Sequence, residues 1–158
     1  IDVGYNQLAW KLRQDERVIN MEKQNIRAVT AEQLGELVDF ISIDVAFISL
    51  DKVLPVATTL LKNTGSLVAL IKPQFEAGKE KVGKGGIVRE RAVHEEVLSR
   101  ILQVAYDCKL YLHGLTFSPI KGTEGNIEFL GYFTKSEEGA LSITDELITA
   151  VVDEAHTL

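Results

Sequence analysis

The sequence is poor in cysteine and contains no long apolar run. Cys108 is its single cysteine, so no disulfide can form within these 158 residues. No apolar stretch approaches the roughly 20 residues that a membrane-spanning helix needs, and no signal-peptide pattern opens the chain. These absences argue against disulfide-rich secreted proteins and membrane-spanning proteins. They predict a cytoplasmic protein in a reducing compartment.

Metal-ligand clusters and hydrolase motifs are missing too. The histidines His94, His113 and His156 are scattered and have no cysteine cluster beside them, so we expect no metal site. No Gly-x-Ser-x-Gly motif marks a serine hydrolase. Residues 78–85 approach a phosphate-binding loop, but Gly85 stands where that loop needs a serine or threonine hydroxyl. We therefore set aside metalloenzymes, serine hydrolases and P-loop nucleotide hydrolases.

Charge is unevenly distributed along the chain. The formal net charge of −6 argues against a protein that simply coats nucleic acid. Residues 72–91 nevertheless hold six basic and three acidic side chains, a net charge of +3 that leaves −9 for the remainder. Residues 76–90 also contain four glycines. We expect this basic segment to be a mobile flap on an acidic body.

The pattern of apolar residues predicts an α/β fold. Predicted strands cover residues 17–21, 40–44, 67–71, 111–117 and 126–134, and residues 1–4 resemble the end of a further strand. Predicted helices cover residues 5–14, 30–37, 49–62 and 92–108, and a last helix begins at a capping box of Ser142 and Asp145. Strand–helix alternation followed by two adjacent strands is typical of a doubly wound sheet whose last pair is antiparallel.

Three charged residues stand at or near the ends of predicted strands: Asp44, Lys72 and Glu128. Ligands of open parallel sheets bind beyond the carboxyl ends of the strands, so we expect these side chains to share one crevice. A carboxylate beside a partly buried lysine can hold the amine and tune its pKa for proton transfer. A structural ion pair, or a lysine that caps a strand, would leave the same pattern. Spacing alone does not separate these alternatives.

Four sequence runs carry a family resemblance: DVGYNQL (2–8), IDVAFISL (43–50), IKPQFE (71–76) and EGNIEF (124–129). They resemble the TlyA (hemolysin A-like) family of ribosomal RNA ribose 2′-O-methyltransferases, which are built on an FtsJ-like methyltransferase domain. The resemblance extends from Ile1 to about Phe133. Its KPQFEAG and VGKGGIV segments are specific to the family rather than to the fold.

The resemblance implies a doubly wound, Rossmann-like sheet that uses S-adenosylmethionine, and a Lys–Asp–Lys–Glu catalytic set. Asp44, Lys72 and Glu128 match the last three members of that set. Lys72 would assist deprotonation of the target ribose 2′-hydroxyl, and the two carboxylates would orient the lysine and the hydroxyl.

Binding roles are implied in the same way. S-adenosylmethionine would be bound by Asp2, Asn25 and Asp44, with Asp2 on the cofactor ribose. Ribosomal RNA, alone or in ribosomal subunits, would be the partner. The flap would contact RNA phosphates, which fixes position without reading sequence, through Lys79, Lys81, Lys84 and Arg89.

Residues 1–158 are expected, by this resemblance, to be one partial methyltransferase domain. The family's first catalytic lysine, its first strand, its glycine-rich cofactor loop and a small RNA-binding domain would all precede Ile1. The family's sheet order places that first strand between the strands ending at Asp2 and Asp44, so its loss would expose two strand edges. Residues 1–158 by themselves are accordingly expected to be inactive.

Other classes of function stay open on the sequence. A non-catalytic module that binds RNA or the ribosome could keep the fold, and such a module need not take up S-adenosylmethionine. A small-molecule methyltransferase is a further alternative, although a lysine at a strand end and a basic flap favour a ribose in RNA. A membrane-lytic hemolysin is disfavoured, because the best amphipathic helix carries Glu95 and Glu96 on its polar side.

Overall fold

Four strands form one sheet in the computed structural model, which describes residues 1–158. The strands are β1 (Val38–Ile43), β2 (Leu61–Ile71), β3 (Tyr111–Phe117) and β4 (Phe129–Thr134). Their spatial order is β1-β2-β4-β3. β1 is parallel to β2, whereas β4 is antiparallel to both β2 and β3. The predicted α/β class, with an antiparallel last pair of strands, is confirmed.

Six α-helices accompany the sheet. Three are short: α1 (Trp10–Arg13), α2 (Ala31–Leu34) and α4 (Pro73–Glu76). Three are longer: α3 (Leu50–Leu60), α5 (Arg91–Asp107) and α6 (Asp145–Ala155). Helix α2 has the predicted capping box of Thr30 and Gln33. Helix α6 begins later than predicted, because Thr144 rather than Ser142 accepts the hydrogen bond that caps it.

The hydrophobic core lies on one face of the sheet. Leu67, Ala69 and Ile71 alternate along β2 and are buried in one cluster with side chains of α3, α5 and α6. Full burial of a leucine or isoleucine side chain is worth about 1.5–3 kcal/mol. Val68 and its cross-strand neighbour Tyr132 point to the opposite face, which stays partly exposed. The three longer helices therefore fix the sheet from one side.

The first 30 residues differ from the predicted elements. Only α1 forms within the helix predicted over residues 5–14, since Asn6 has a φ of 61°, in the left-handed region. Residues 17–21 form no strand. The backbone of residues 2–4 is instead hydrogen-bonded to residues 21–24, with the Asp2 N–H donating to the Met21 carbonyl at 2.9 Å.

The middle of the chain corrects one prediction and adds contacts to another. Strand β2 begins at Leu61, paired with Val38, where the sequence predicted a helix end and a turn. The basic segment is anchored to the body at two points, because Val88 is buried in the core and Lys81 pairs with Glu96 at 2.5 Å. Residues 78–81, 83–86 and 89–91 are exposed. The two anchoring contacts limit how far a flap could move, and its mobility stays a prediction.

Candidate active site at the carboxyl ends of the strands

The parallel pair β1–β2 brings Asp44 and Lys72 together. Asp44 follows the last residue of β1 and Lys72 follows the last residue of β2, so both leave the same edge of the sheet. Lys72 Nζ lies 2.6 Å from Asp44 Oδ1, and the lysine side chain is 16% exposed while the aspartate is 72% exposed. An ion pair with so exposed a carboxylate adds little to stability. The amine is nevertheless held at one place, shielded on most sides and reachable from solvent.

Glu128 lies beside this pair. It precedes β4, whose Phe129 is paired with Ile71 of antiparallel β2. The next pair in this register places Glu128 opposite Lys72. Glu128 is buried, at 6% exposure, and its Oε2 accepts a hydrogen bond from Gln74 Nε2 at 2.8 Å. The structure thus brings the three residues predicted from strand ends to one edge. Their catalytic roles stay predictions.

Glycine at position 122 makes room for the Glu128 carboxylate. A Cβ atom built on Gly122 would overlap the Glu128 carboxylate oxygens and carbon. The φ of Gly122 is −77°, which any residue can adopt, so close approach rather than backbone freedom requires glycine here. The turn after it does store strain, since Glu124 has a φ of 59°.

Asn126 fastens the basic segment to this turn. Its side chain is buried, and Oδ1 accepts from the Val88 N–H at 3.0 Å. Its Nδ2 donates to the carbonyls of Gly86 and Thr123, both at 3.0 Å. The exposed basic residues of the segment therefore project from a backbone that is bonded to the turn before Glu128. Among them are the four predicted to contact RNA: Lys79, Lys81, Lys84 and Arg89.

The basic segment is also hydrogen-bonded to His94, which pairs with His156. His94 is fully buried; its Nε2 lies 3.0 Å from the Val88 carbonyl oxygen, and its Nδ1 lies 2.8 Å from His156 Nε2. Only an N–H can face the Val88 carbonyl, so the neutral His94 carries its proton on Nε2 and His156 donates to Nδ1. Burial, reinforced by His156, lowers the pKa of His94 to about 4.

The residues predicted to bind the cofactor either line a cavity, as Asp44 does, or adjoin a lining residue in sequence, as Asp2 and Asn25 do. A cavity of about 350 Å³ runs along β1, is lined largely by apolar side chains including Ile1 and Ile26, and includes Asp44. Asp2 is exposed next to Ile1, and its Oδ1 accepts from the Gly4 N–H at 2.8 Å, which leaves Oδ2 free. Asn25 Oδ1 is already taken by the Arg27 N–H at 3.0 Å.

These residues fit part of a nucleoside ligand. The cavity falls within the usual size range of small-molecule pockets, but it borders the edge of β1 where the resemblance places a further strand, so its apolar walls would pack that strand as well as an adenine ring. A free carboxylate oxygen at Asp2 suits ribose hydroxyls. Asn25 is bound as a helix cap and offers mainly its amide N–H groups. Asp44 touches both the cavity and Lys72, so it lies between the two parts of the site.

Phe47 is a site feature that sequence reasoning missed. It is 90% exposed and has a φ of 63°, unusual for a bulky side chain. Its ring packs on Phe75 with centroids 4.8 Å apart, which places it between the segments that follow β1 and β2. Gln74, Gly122 and Asn126 were missed as well. Their signal was present, since Gln74 and Asn126 lie within the KPQFE and EGNIE motifs.

The structure offers neither a membrane-spanning helix nor a metal-binding cluster. None of its helices has the length and apolar character needed to cross a membrane. No group of three or more histidine, cysteine, aspartate or glutamate side chains is arranged to hold a metal ion.

Comparisons with known proteins give one family. A model of the FtsJ-like methyltransferase family matches residues 1–135. The chain is 52% identical over 163 residues to the Bacillus subtilis protein named "Putative rRNA methyltransferase YqxC", covering 99% of this chain and 57% of that protein. It is 38% identical over 141 residues to the Mycobacterium tuberculosis protein named "16S/23S rRNA (cytidine-2'-O)-methyltransferase TlyA", covering 89% and 53%.

A solved structure gives the same result for the fold. The structure named "Putative hemolysin from Streptococcus thermophilus" matches with a TM-score of 0.90 and 47% identity, covering 98% of this chain and 56% of that one. The chain therefore spans little more than half the length of the relatives it matches.

Proposed function

We propose, because the chain belongs to the FtsJ-like methyltransferase family, that it is the greater part of the catalytic domain of a ribosomal RNA ribose 2′-O-methyltransferase. Methyltransferases of this kind in general use S-adenosylmethionine. The observation that carries the proposal is the Lys72–Asp44 pair of 2.6 Å beside buried Glu128, at the edge of the sheet where ligands of α/β folds bind. Its cellular place would be the cytoplasm, with the ribosome.

Each site residue has a defined task in this reaction. S-adenosylmethionine, when bound, supplies an electrophilic methyl group on its sulfonium. Once its own proton has left to solvent, neutral Lys72 Nζ would accept the proton of the ribose 2′-hydroxyl as the oxygen becomes nucleophilic, and the ammonium so formed would pair with Asp44. Acid–base groups in general contribute about 10²–10⁴ in rate. Asp44 would hold that amine in place. Glu128, itself fixed by Gln74, would orient the amine and the hydroxyl.

The surface around the site suits RNA. Lys79, Lys84 and Arg89 are exposed on the anchored basic segment, where they could contact phosphates without reading sequence. Phe47 offers an exposed ring at the crevice, and an unpaired base can stack on such a ring for about 1–3 kcal/mol. A small-molecule methyltransferase would need neither feature.

Cofactor uptake separates this proposal from a non-catalytic RNA-binding module. A titration of the intact protein with S-adenosylmethionine, followed by methyl incorporation into ribosomal RNA, tests it. Saturable cofactor binding and methylation of ribose support the proposal. RNA binding without either would favour the binding module.

Replacing Asp2 by alanine should weaken cofactor binding first and turnover through it. The reason is that Asp2 adjoins Ile1, which lines the cavity, and that its Oδ2 accepts no hydrogen bond. We expect a higher S-adenosylmethionine dissociation constant and a higher KM for the cofactor, with kcat restored at saturating cofactor. Calorimetry and steady-state kinetics measure both. An unchanged dissociation constant would remove Asp2 from the cofactor site.

Replacing Gly122 by alanine should displace Glu128 and reduce kcat by about 10- to 100-fold, the effect expected of a misplacement near 1 Å. The new Cβ would overlap the Glu128 carboxylate, whereas the backbone at Gly122 tolerates alanine. Gly114→Ala is the matched control, because its Cβ would make an ordinary contact with Tyr132 at 3.6 Å. Equal kcat in the two variants would show that Glu128 does not act in catalysis.

A further inference from the structure

Glu76 has a buried carboxylate with three donors. Its side chain is 2% exposed. Oε1 accepts from the Leu50 N–H at 2.9 Å, and Oε2 accepts from Ser49 Oγ at 2.5 Å and from Arg100 Nη2 at 2.9 Å. A buried carboxylate is tolerated only when it is paired and hydrogen-bonded. Here the guanidinium and the first N–H of α3 meet that condition.

These bonds join the two segments that carry the ion pair of the site. Ser49 closes the stretch that begins at Asp44, and Leu50 opens α3. Glu76 is the last residue of α4, and Lys72 is the residue that directly precedes this helix. One carboxylate therefore connects the segment after β1 to the segment after β2, at the end of each that lies away from the sheet.

Arg100 provides the fixed point of this network. It lies on α5, whose Ile101 and Leu102 are fully buried in the core. Its Nη2 also donates to the Glu76 carbonyl at 2.8 Å, and its Nη1 lies 3.6 Å from Asp51 Oδ2. The long helix thus holds both the backbone and the side chain of Glu76.

We propose that Glu76 is a positioning residue that sets Lys72 against Asp44. The exposed ion pair cannot set its own geometry, because a carboxylate that is 72% exposed is free to take other rotamers and exchange its partner for water. The carboxylate is suited to this task, because a negative charge at a helix N-terminus and a charge-assisted bond to arginine both favour it. The inference rests on the proposed function and adds a residue that touches neither the substrate nor the cofactor.

The test uses Glu76→Ala and Glu76→Gln in the intact protein. With alanine we expect kcat for methyl transfer to fall by about 10- to 100-fold. The dissociation constants for S-adenosylmethionine and RNA should rise by a smaller factor, because the loosened segment also carries Asp44 and Phe47. Glutamine should recover part of the loss, because it can still accept from the Leu50 N–H but no longer pairs with Arg100. Asp39→Ala is the matched control, since it removes a carboxylate paired with Lys62 at 2.9 Å at the opposite end of β1.

Hydrogen exchange gives a readout that does not depend on activity. Glu76→Ala should raise amide exchange in residues 44–50 and 72–76 and leave the interior of α5 protected. Exchange that rises across the whole chain, or nowhere, would overturn the proposal, as would a kcat equal to that of Asp39→Ala. If Lys72→Ala retains normal turnover, the proposed function fails. If Lys72→Ala is inactive and Glu76→Ala is not, only the positioning role fails.

Discussion

Replacing Lys72 by alanine in the intact protein should reduce methyl transfer to ribosomal RNA by about 10²–10⁴-fold, the usual contribution of an acid–base group. Cofactor affinity should stay close to that of the unmodified protein, because Lys72 is paired with Asp44 and does not line the cavity along β1. The measurements are methyl incorporation into ribosomal RNA and a parallel titration of S-adenosylmethionine binding.

Arginine at position 72 should fail nearly as badly as alanine. Its guanidinium stays protonated at accessible pH, and its planar fork cannot replace a single amine. Lys62→Ala is the matched control, because Lys62 lies on the same strand and pairs with Asp39 at 2.9 Å at the far end of the sheet. Near-normal turnover of Lys72→Ala would mean that the lysine is a structural cap and that the proposed mechanism is wrong.

The parts of this site that sequence reasoning found are those set by local pattern. An apolar run that ends in a charge predicts a strand end, and the parallel β1–β2 pair then places Asp44 beside Lys72. The long amphipathic helix was also predictable, because Val97 and Ile101 repeat one turn apart and are both buried. The strand ends and the helix face depend on neighbours within a few residues, and the meeting of Asp44 with Lys72 then follows from the parallel strand order expected of an α/β sheet.

The parts that sequence reasoning missed depend on contacts between distant residues. Hydrogen bonds join Glu76 to Leu50, which is 26 positions away, Asn126 to Val88, which is 38 away, and His94 to His156, which is 62 away. No local periodicity reports such pairs. The strand predicted over residues 17–21 does not form, because a short apolar pattern becomes a strand only where a neighbouring strand is available for hydrogen bonding. The attachment of the basic segment was missed because burial of Val88 is a tertiary property.

The same distant contacts make one prediction about pH. The pKa of His94 is lowered to about 4 by burial and by the neighbouring His156, although the Val88 carbonyl favours the charged ring. The pKa of His156 is lowered as well, by burial and Arg91, while Asp153 opposes the shift and Lys121 adds to it. His94 is therefore neutral in the folded protein above about pH 4, whereas the unfolded chain takes up this proton below about pH 6.5.

The free energy of unfolding should consequently fall by about 3 kcal/mol through His94 as the pH drops from about 6.5 to about 4. The sign follows from proton uptake, because below pH 6.5 the unfolded state binds the proton that the folded state excludes. Above pH 6.5 His94 is neutral in both states and contributes no pH dependence. Urea unfolding of the intact protein between pH 7.5 and pH 4.5 measures the slope.

His94→Gln should flatten that slope, because glutamine can still donate to the Val88 carbonyl but does not titrate. The variant is expected to be less stable at neutral pH, since the contact with His156 is altered, so the slope rather than the stability itself is the readout. Val97→Ala is the control: it removes buried volume from the same helix, lowering stability equally at every pH. If His94→Gln and Val97→Ala lose stability in parallel on acidification, the proton is taken up elsewhere and His94 is not the acid-sensitive support of the basic segment.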